Sequence, residues 1–154
     1  MNSELETLSG SPSDEEVVPL INALSEDLGN RFESDGRHSF QDWENGNPKF
    51  IFIKVTSGYE VVGCGAVRPI TANTGEVKRM FAKYKRMGIG SAVLSALEEK
   101  AKQAGYTTLW LETRVMNAEA CNFYLKQGYT RIENYGRYIN KPEAACFGKQ
   151  LVTG

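Results

Sequence analysis

The stretch from Glu76 to Tyr106 constrains this chain more than any other, because it reads as a strand, a basic loop with two glycines and a long helix. Val77, Met80, Phe81 and Ala82 supply apolar strand surface. From Ile89 the apolar residues recur at helical spacing through Val93, Ala96, Leu97 and Ala101 until Gly105 ends the run. A second strand, Thr107 to Thr113, follows directly. Two strands joined through a helix of this length form a right-handed crossover and lie parallel in one sheet. Chemistry then belongs at the loop, where the first strand hands over to the helix.

Within that loop, Lys85-Arg86-Met87-Gly88-Ile89-Gly90-Ser91 places glycines where the chain turns into the helix, so unpaired N–H groups can approach a ligand without an intervening Cβ. These N–H groups, the helix dipole and Lys83, Lys85 and Arg86 favour an anion such as a pyrophosphate. The same pattern also describes a tight strand-to-helix turn with a solvated basic rim. The usual nucleotide motifs fit poorly: there is no Gly-x-x-x-x-Gly-Lys-Ser/Thr, and the third glycine of the dinucleotide fingerprint is missing. A different phosphate-bearing ligand is implied.

The rest of the chain supplies a sheet around this unit. Leu5 and Leu8 suit a short edge strand, or residues 1–12 are loose. Ser13 or Asp14 caps a helix with Val17, Leu20, Ile21, Leu24 and Leu28 on one face, closed by Gly29. Asn30 to Pro48 is polar and irregular, with a short helix near Ser39 to Trp43; Phe40 and Trp43 read as core anchors and His38 as a surface residue. Phe50 to Thr56 and Glu60 to Ile70 form a hairpin through Ser57-Gly58-Tyr59, and Gly63 and Gly65 mark a bulge or a close approach. After a turn at Thr71 to Gly75 comes the organising unit. Ala118 to Gln127 is a helix ended by Gly128, and Tyr129 to Glu133 with Ala145 to Val152 form a hairpin-like strand pair across a long loop.

At 154 residues, 41% hydrophobic and 24% charged, the chain suits one domain over residues 1–154 with one core. No run approaches the ~18 apolar residues of a membrane span, and Met1 to Gly10 lacks a secretion signal, so a cytoplasmic location is expected. Cys64, Cys121 and Cys146 are scattered and accompanied by the lone His38, which argues for buried or half-buried free thiols and against disulfides or a metal site. Charge is uneven: residues 1–35 hold nine acidic and one basic side chain, net −8, whereas residues 36–154 hold ten acidic and seventeen basic, net +7. The basic residues gather at the glycine loop without an aromatic-studded stripe, which favours a small anion over nucleic acid.

Two motifs now stand in order. Gly88-Ile89-Gly90-Ser91-Ala92-Val93-Leu94 follows Val77-Lys78-Arg79-Met80-Phe81-Ala82, and then come Leu111-Glu112-Thr113, Asn117, Ala120 and Asn122-Phe123-Tyr124-Leu125-Lys126-Gln127-Gly128-Tyr129. Together they resemble the GNAT superfamily of acetyl-coenzyme A-dependent N-acetyltransferases, with its Gln/Arg-x-x-Gly-x-Gly/Ala pyrophosphate motif and its Asn-x-x-Ala…Phe-Tyr-x-x-x-Gly-Phe/Tyr run. The resemblance covers roughly Phe50 to Leu151. Lys85 stands where the family usually has Gln or Arg, keeping the charge but not the bidentate fork, and Arg86 is placed to substitute in part.

The resemblance implies an α/β (α+β) fold: a central mixed, mostly antiparallel sheet with flanking helices and a parallel strand pair that splays to admit the pantetheine arm. Coenzyme contacts fall on Met80, Phe81, Ala82, Lys85, Arg86, Met87, Gly88, Ile89, Gly90, Ser91, Asn117 and Tyr124, with acetyl-CoA as cosubstrate and a primary amine as acceptor. Tyr124 matches the family's general acid. Glu76 is the first candidate for the base and Glu112 the second, each acting directly or through a water, while a backbone N–H near Phe81 polarises the acetyl carbonyl. Direct transfer is preferred to a ping-pong route, because none of the three cysteines has an evident basic partner. The acceptor pocket is expected from Arg31 to Trp43, the strand ends and the loop Glu133 to Pro142, where Tyr135, Arg137 and Tyr138 suit an aromatic or acidic acceptor. The ending from Asn134 resembles a bacterial group of single-domain members whose acceptors are mostly unassigned. Members are often homodimers, and oligomeric state stays open. Competing readings are a catalytically inactive acyl-CoA-binding sensor or interaction module of the same fold and, more remotely, a nucleotide or nucleic-acid binder.

Overall fold

The computed structural model describes residues 5–11, 15, 17–19 and 48–151. The predicted helix from Ser13 and the short helix near Ser39 to Trp43, with His38, Phe40 and Trp43, lie largely or wholly outside them. Seven strands form one sheet: β1 (Leu5–Ser9), β2 (Ile51–Ser57), β3 (Glu60–Pro69), β4 (Thr74–Ala82), β5 (Thr108–Arg114), β6 (Thr130–Ile132) and β7 (Ala144–Gln150). Two helices, α1 (Ile89–Gln103) and α2 (Ala118–Lys126), and a 3-10 turn at Gly136–Tyr138 complete the described elements. The sheet order is β1-β2-β3-β4-β5-β7-β6, antiparallel except for the β4/β5 pair.

The expected hairpin forms with Ser57 opposite Glu60, and Gly58 takes a left-handed φ of 61° at its tip. Strand β4 starts at Thr74, because the Thr71 hydroxyl accepts from the Asn73 and Thr74 N–H groups and tightens the turn before it. The C-terminal strands pair with each other as expected, yet β7 takes the inner place beside β5. Its sequence explains this: Ala144 to Gly148 are all buried, whereas the three residues of β6 are exposed or half-buried, so the more apolar strand goes inside.

On one face of the sheet, α1 sets Ile89, Val93, Leu94, Leu97 and Ala101 against Ile53, Val55, Val62 and Val67. The helix lies close because β3 offers glycines there. A Cβ on Gly63 would collide with Ile89, and one on Gly65 would meet Val93 at 2.6 Å and Leu97 at 2.9 Å. Both sequence readings of these glycines therefore hold, since Gly65 also lies opposite a bulge on β4, where the register shifts between Cys64 and Ala66. Arg79 takes a φ of 59° at that bulge. The bulge divides the apolar run of β4: Val77 and Met80 join the core under the helices, Phe81 joins Val17, Phe52, Val61, Cys64 and Ala66 on the other face, and Ala82 is exposed. A strict two-residue alternation would have put Val77 and Phe81 on one face.

No helix among the described residues is long and apolar enough to cross a membrane. All three cysteines are free, with Cys64 and Cys146 buried and Cys121 half-buried.

Candidate active site

The parallel pair β4/β5 is joined for only three positions, Thr74 with Thr108, Gly75 with Leu109 and Glu76 with Trp110. Beyond them β4 continues from Val77 to Ala82 against β3, and β5 continues from Leu111 to Arg114 against β7. Their facing edges are thus no longer paired with each other. Backbone groups on such edges need other partners. One is placed by the ladder itself: the Lys83 N–H donates to the Val62 carbonyl at 2.7 Å, so Ala82, opposite Gly63, turns its own N–H and C=O away from β3 and toward the gap. Phe81, paired with Cys64, faces β3 with its backbone, so the gap-side N–H near Phe81 is that of Ala82.

The gap opens onto the glycine loop. Arg86 and Gly88 both take left-handed φ values, 62° and 73°, on either side of Met87, and Gly88 caps α1 with no side-chain hydrogen bond. The first turn of α1 holds no acidic residue, so its N–H groups and the positive end of the helix dipole are left for an anion. The two glycines differ in their reasons. A Cβ on Gly88 would meet nothing within 4 Å, so its conformation demands glycine; a Cβ on Gly90 would press on Phe123 at 3.3 Å, so helix packing demands it. Ser91 Oγ accepts from Gln127 Nε2 at 3.0 Å and ties the start of α1 to the end of α2. In the basic rim, Lys83 pairs with Glu60 at 2.6 Å and exposed Lys85 reaches Glu119 at 3.6 Å. Asn117 caps α2 by accepting from the Ala120 N–H at 3.0 Å, which engages Oδ1 and not the two Nδ2 donors.

Tyr124 lies on the buried face of α2, its ring edge-on to Phe123 at 5.1 Å and to Tyr129 at 5.9 Å. Burial pushes its phenol well above the ordinary tyrosine range, so it is protonated at neutral pH. Glu76 sits on the last paired rung, 1% exposed, on the sheet face opposite the helices. Arg68 Nε donates to its Oε1 and the Tyr135 hydroxyl to its Oε2, both at 2.7 Å. Glu112, half-buried on the same face of β5, has its carboxyl raised by burial, against the opposing pull of Lys78. Burial lowers the Lys78 ammonium to about 8, with Glu76 acting against the shift.

The loop after β6 folds back onto this cluster. Trp110 and Tyr135 have ring centroids 4.9 Å apart, Tyr135 and Tyr138 5.4 Å, and Arg137 lies 5.5 Å from the Tyr138 ring. Tyr135, Arg137 and Tyr138, named from sequence for the acceptor pocket, are thereby brought to Glu76 and Glu112. Arg31 to Trp43, named with them, falls outside the described residues. Arg68, Lys78 and Trp110 escaped the sequence reading, although the alternation of β4 and β5 already places Lys78 beside Glu76 and Trp110 beside Glu112. The cysteines stay apart from this chemistry: burial raises the Cys64 thiol to about 12, and the Cys146 thiol is also raised by burial. Among the described residues no group of His, Cys, Asp and Glu is arranged to hold a metal ion.

Residues 17–129 match the model of the acetyltransferase (GNAT) family. The chain belongs to the GNAT acetyltransferase family. A relative named IAA acetyltransferase, from Azospirillum brasilense, is 34% identical over 144 residues, covering 92% of this chain and 94% of its own. Among solved structures, a Klebsiella pneumoniae protein described as a candidate acyl-CoA N-acyltransferase superposes with a TM-score of 0.78 at 28% identity, over 98% of this chain and 100% of that one. The PaiA N-acetyltransferase of Thermoplasma acidophilum, solved in complex with coenzyme A, shares the fold with a TM-score of 0.71 at 20% identity, over 96% of this chain and 99% of that one. This GNAT protein is therefore an acetyltransferase with the family's mixed sheet and parallel pair.

Proposed function

We propose that this acetyltransferase moves the acetyl group of acetyl-CoA directly to a primary amine of a small-molecule or peptide acceptor. One observation carries the reading: two parallel strands part beside an α-helix whose N-terminus has no side-chain cap and no acidic first turn. The gap-side backbone of β4 at Ala82 and of β5 suits the amide groups of a pantetheine arm, the N–H groups from Arg86 to Ser91 suit its pyrophosphate, and the Nδ2 donors of Asn117 suit a further contact to the arm. The coenzyme A complex of the fold neighbour supports this cosubstrate.

In the transfer step, the amine nitrogen attacks the thioester carbonyl and the carbon–sulfur bond breaks. The Ala82 N–H is placed to hold the oxyanion, and Tyr124 gives its proton to the departing thiolate. The proton lost by the amine passes to a carboxylate. Glu76, the first candidate from sequence, has both oxygens engaged by Arg68 and Tyr135; Glu112, with its carboxyl raised by burial, suits the base role better, and Glu76 then holds Tyr135 and Arg68 in place. The single domain over 1–154, the cytoplasmic location and a homodimer belong to this same proposal.

Calorimetric titration with acetyl-CoA, coenzyme A and ATP, on the wild type and on Gly88→Glu, tests the coenzyme site. Micromolar binding of both coenzymes, absent with ATP and lost in the variant, is expected; no coenzyme binding to the folded protein sinks the proposal. Tyr124→Phe then separates an enzyme from an acyl-CoA sensor, because an enzyme loses most of its turnover and keeps its coenzyme affinity.

A further inference from the structure

The cluster on the acceptor face holds more positive charge than the transfer step uses. Lys78 follows Glu76 on the same face of β4, and its side chain is 16% exposed. Its nearest ion-pair contact is Glu76 Oε1 at 4.0 Å, beyond hydrogen-bond range, on an oxygen that already accepts from Arg68. Among the described residues the Lys78 side chain makes no hydrogen bond. The Lys78 Nζ is not among the buried polar atoms left without a partner, so the ammonium ends a mostly buried side chain yet stays open to solvent, where an anion from outside the chain can reach it. Arg137, exposed on the 3-10 turn, acts on the same ammonium and on Glu112. With Arg68 neutralised by Glu76, Lys78 and Arg137 face Glu112 with one positive charge in excess among these groups. Alongside them Trp110, Tyr135 and Tyr138 make a continuous aromatic wall.

We propose that the acceptor is an amino carboxylate: a primary amine whose molecule also bears a carboxylate, which Lys78 and Arg137 receive while its apolar part lies against Trp110 and the two tyrosines. The inference rests on the transferase reading and names its substrate class. Lys78 and Glu112 stand on the two strands that part at the splay, so one end of a zwitterion meets the cations and the other meets the proton acceptor. A carboxylate held by two cations makes charge-assisted hydrogen bonds, which are the strong ones, and an uncharged analogue leaves those cations unpaired.

The test compares phenylalanine, phenylalaninamide and 2-phenylethylamine as acceptors, by thiol release from acetyl-CoA and by calorimetric binding to the coenzyme A complex. The acid should exceed both analogues by about tenfold or more in kcat/KM and in affinity, as expected for a charge-assisted pair. In Lys78→Met, and independently in Arg137→Gln on the exposed turn, the acid-to-amide ratio should fall toward one. Equal or better use of the amide and the amine, or a ratio unmoved by both variants, overturns the inference while leaving the transferase reading intact. Binding of none of the three to the coenzyme complex also overturns it. Acid-selective, Lys78-dependent binding without any thiol release would overturn the inference that the bound acid is the acceptor and leave Lys78 and Arg137 as an anion site only.

Discussion

Gly63 and Gly88 flank the same loop and are glycine for opposite reasons. At Gly63 the helix leaves no room: an added Cβ would strike Ile89 and lie 3.0 Å from the Phe81 carbonyl oxygen, so Gly63→Ala should destabilise the fold by about 1–3 kcal/mol, seen as a lower urea midpoint with unchanged slope. At Gly88 there is open space and a φ of 73°, so Gly88→Ala should cost about 1 kcal/mol of strain and leave the core intact. The two carboxylates divide in the same way. Glu76 is buried between Arg68 and Tyr135, and Glu76→Gln should lower stability by about 2 kcal/mol, below the roughly 3–5 kcal/mol of a fully buried broken pair because the Arg68 side chain is 40% exposed. Glu112→Gln should change stability little and kcat strongly. Paired denaturation and turnover measurements on both variants check this division, and a large stability loss in Glu112→Gln would refute it.

Among the elements, α2 is short and depends on its ends. Its start is fixed by the Asn117 side chain on the Ala120 N–H, so Asn117→Ala should cost about 1 kcal/mol, or roughly 2–4 °C in Tm for a chain of this size, by thermal melting. Coenzyme affinity should fall further than this loss explains if the Asn117 amide also binds the arm. Helix α1 shows the reverse design at its N-terminus, which lacks both a cap and an acid. Its stability comes from the buried stripe Val93, Leu94 and Leu97, each worth about 1.5–3 kcal/mol when fully buried, rather than from capping. The helix end can therefore stay open to a ligand without loss of the helix.

For the whole molecule, stability is linked to ligand and to pH. Acetyl-CoA at a hundred times its Kd should stabilise the wild type by about 2.7 kcal/mol and Gly88→Glu not at all, a difference that thermal shifts at fixed protein concentration would register. The pH effect comes from Lys78, which titrates near 8 in the fold against an ordinary 10.5, with burial the main cause and Glu76, Arg137, Arg68 and Arg79 around it. Between those values the unfolded chain binds more protons than the folded one, so this group makes stability rise with pH from about 8 to about 10.5. Lys78→Met should lack that rise. Urea midpoints of the two proteins at intervals across the window would show it, and parallel profiles would refute it.

Local pattern was enough for the described strands and helices and for the pairs β2/β3, β4/β5 and β6/β7. The apolar spacing of α1 and the strand on each side of it announced the parallel pair, Leu5 and Leu8 allowed an edge strand as well as a loose terminus, and Gly88 marked the turn into the helix, because each of these depends on residues adjacent in the chain. What lay beyond reach depends on registry between distant segments. The bulge at Arg79 decides which face Phe81 and Met80 take, and no residue type in β4 demands it. The insertion of β7 between β5 and β6 follows from competition for burial among strands. Arg68, Trp110 and Tyr135 come from two other strands and the loop after β6, and only folding sets them around Glu76. Short-range periodicity is written in the sequence, whereas the electrostatics of a buried cluster exist only once the chain has closed around it.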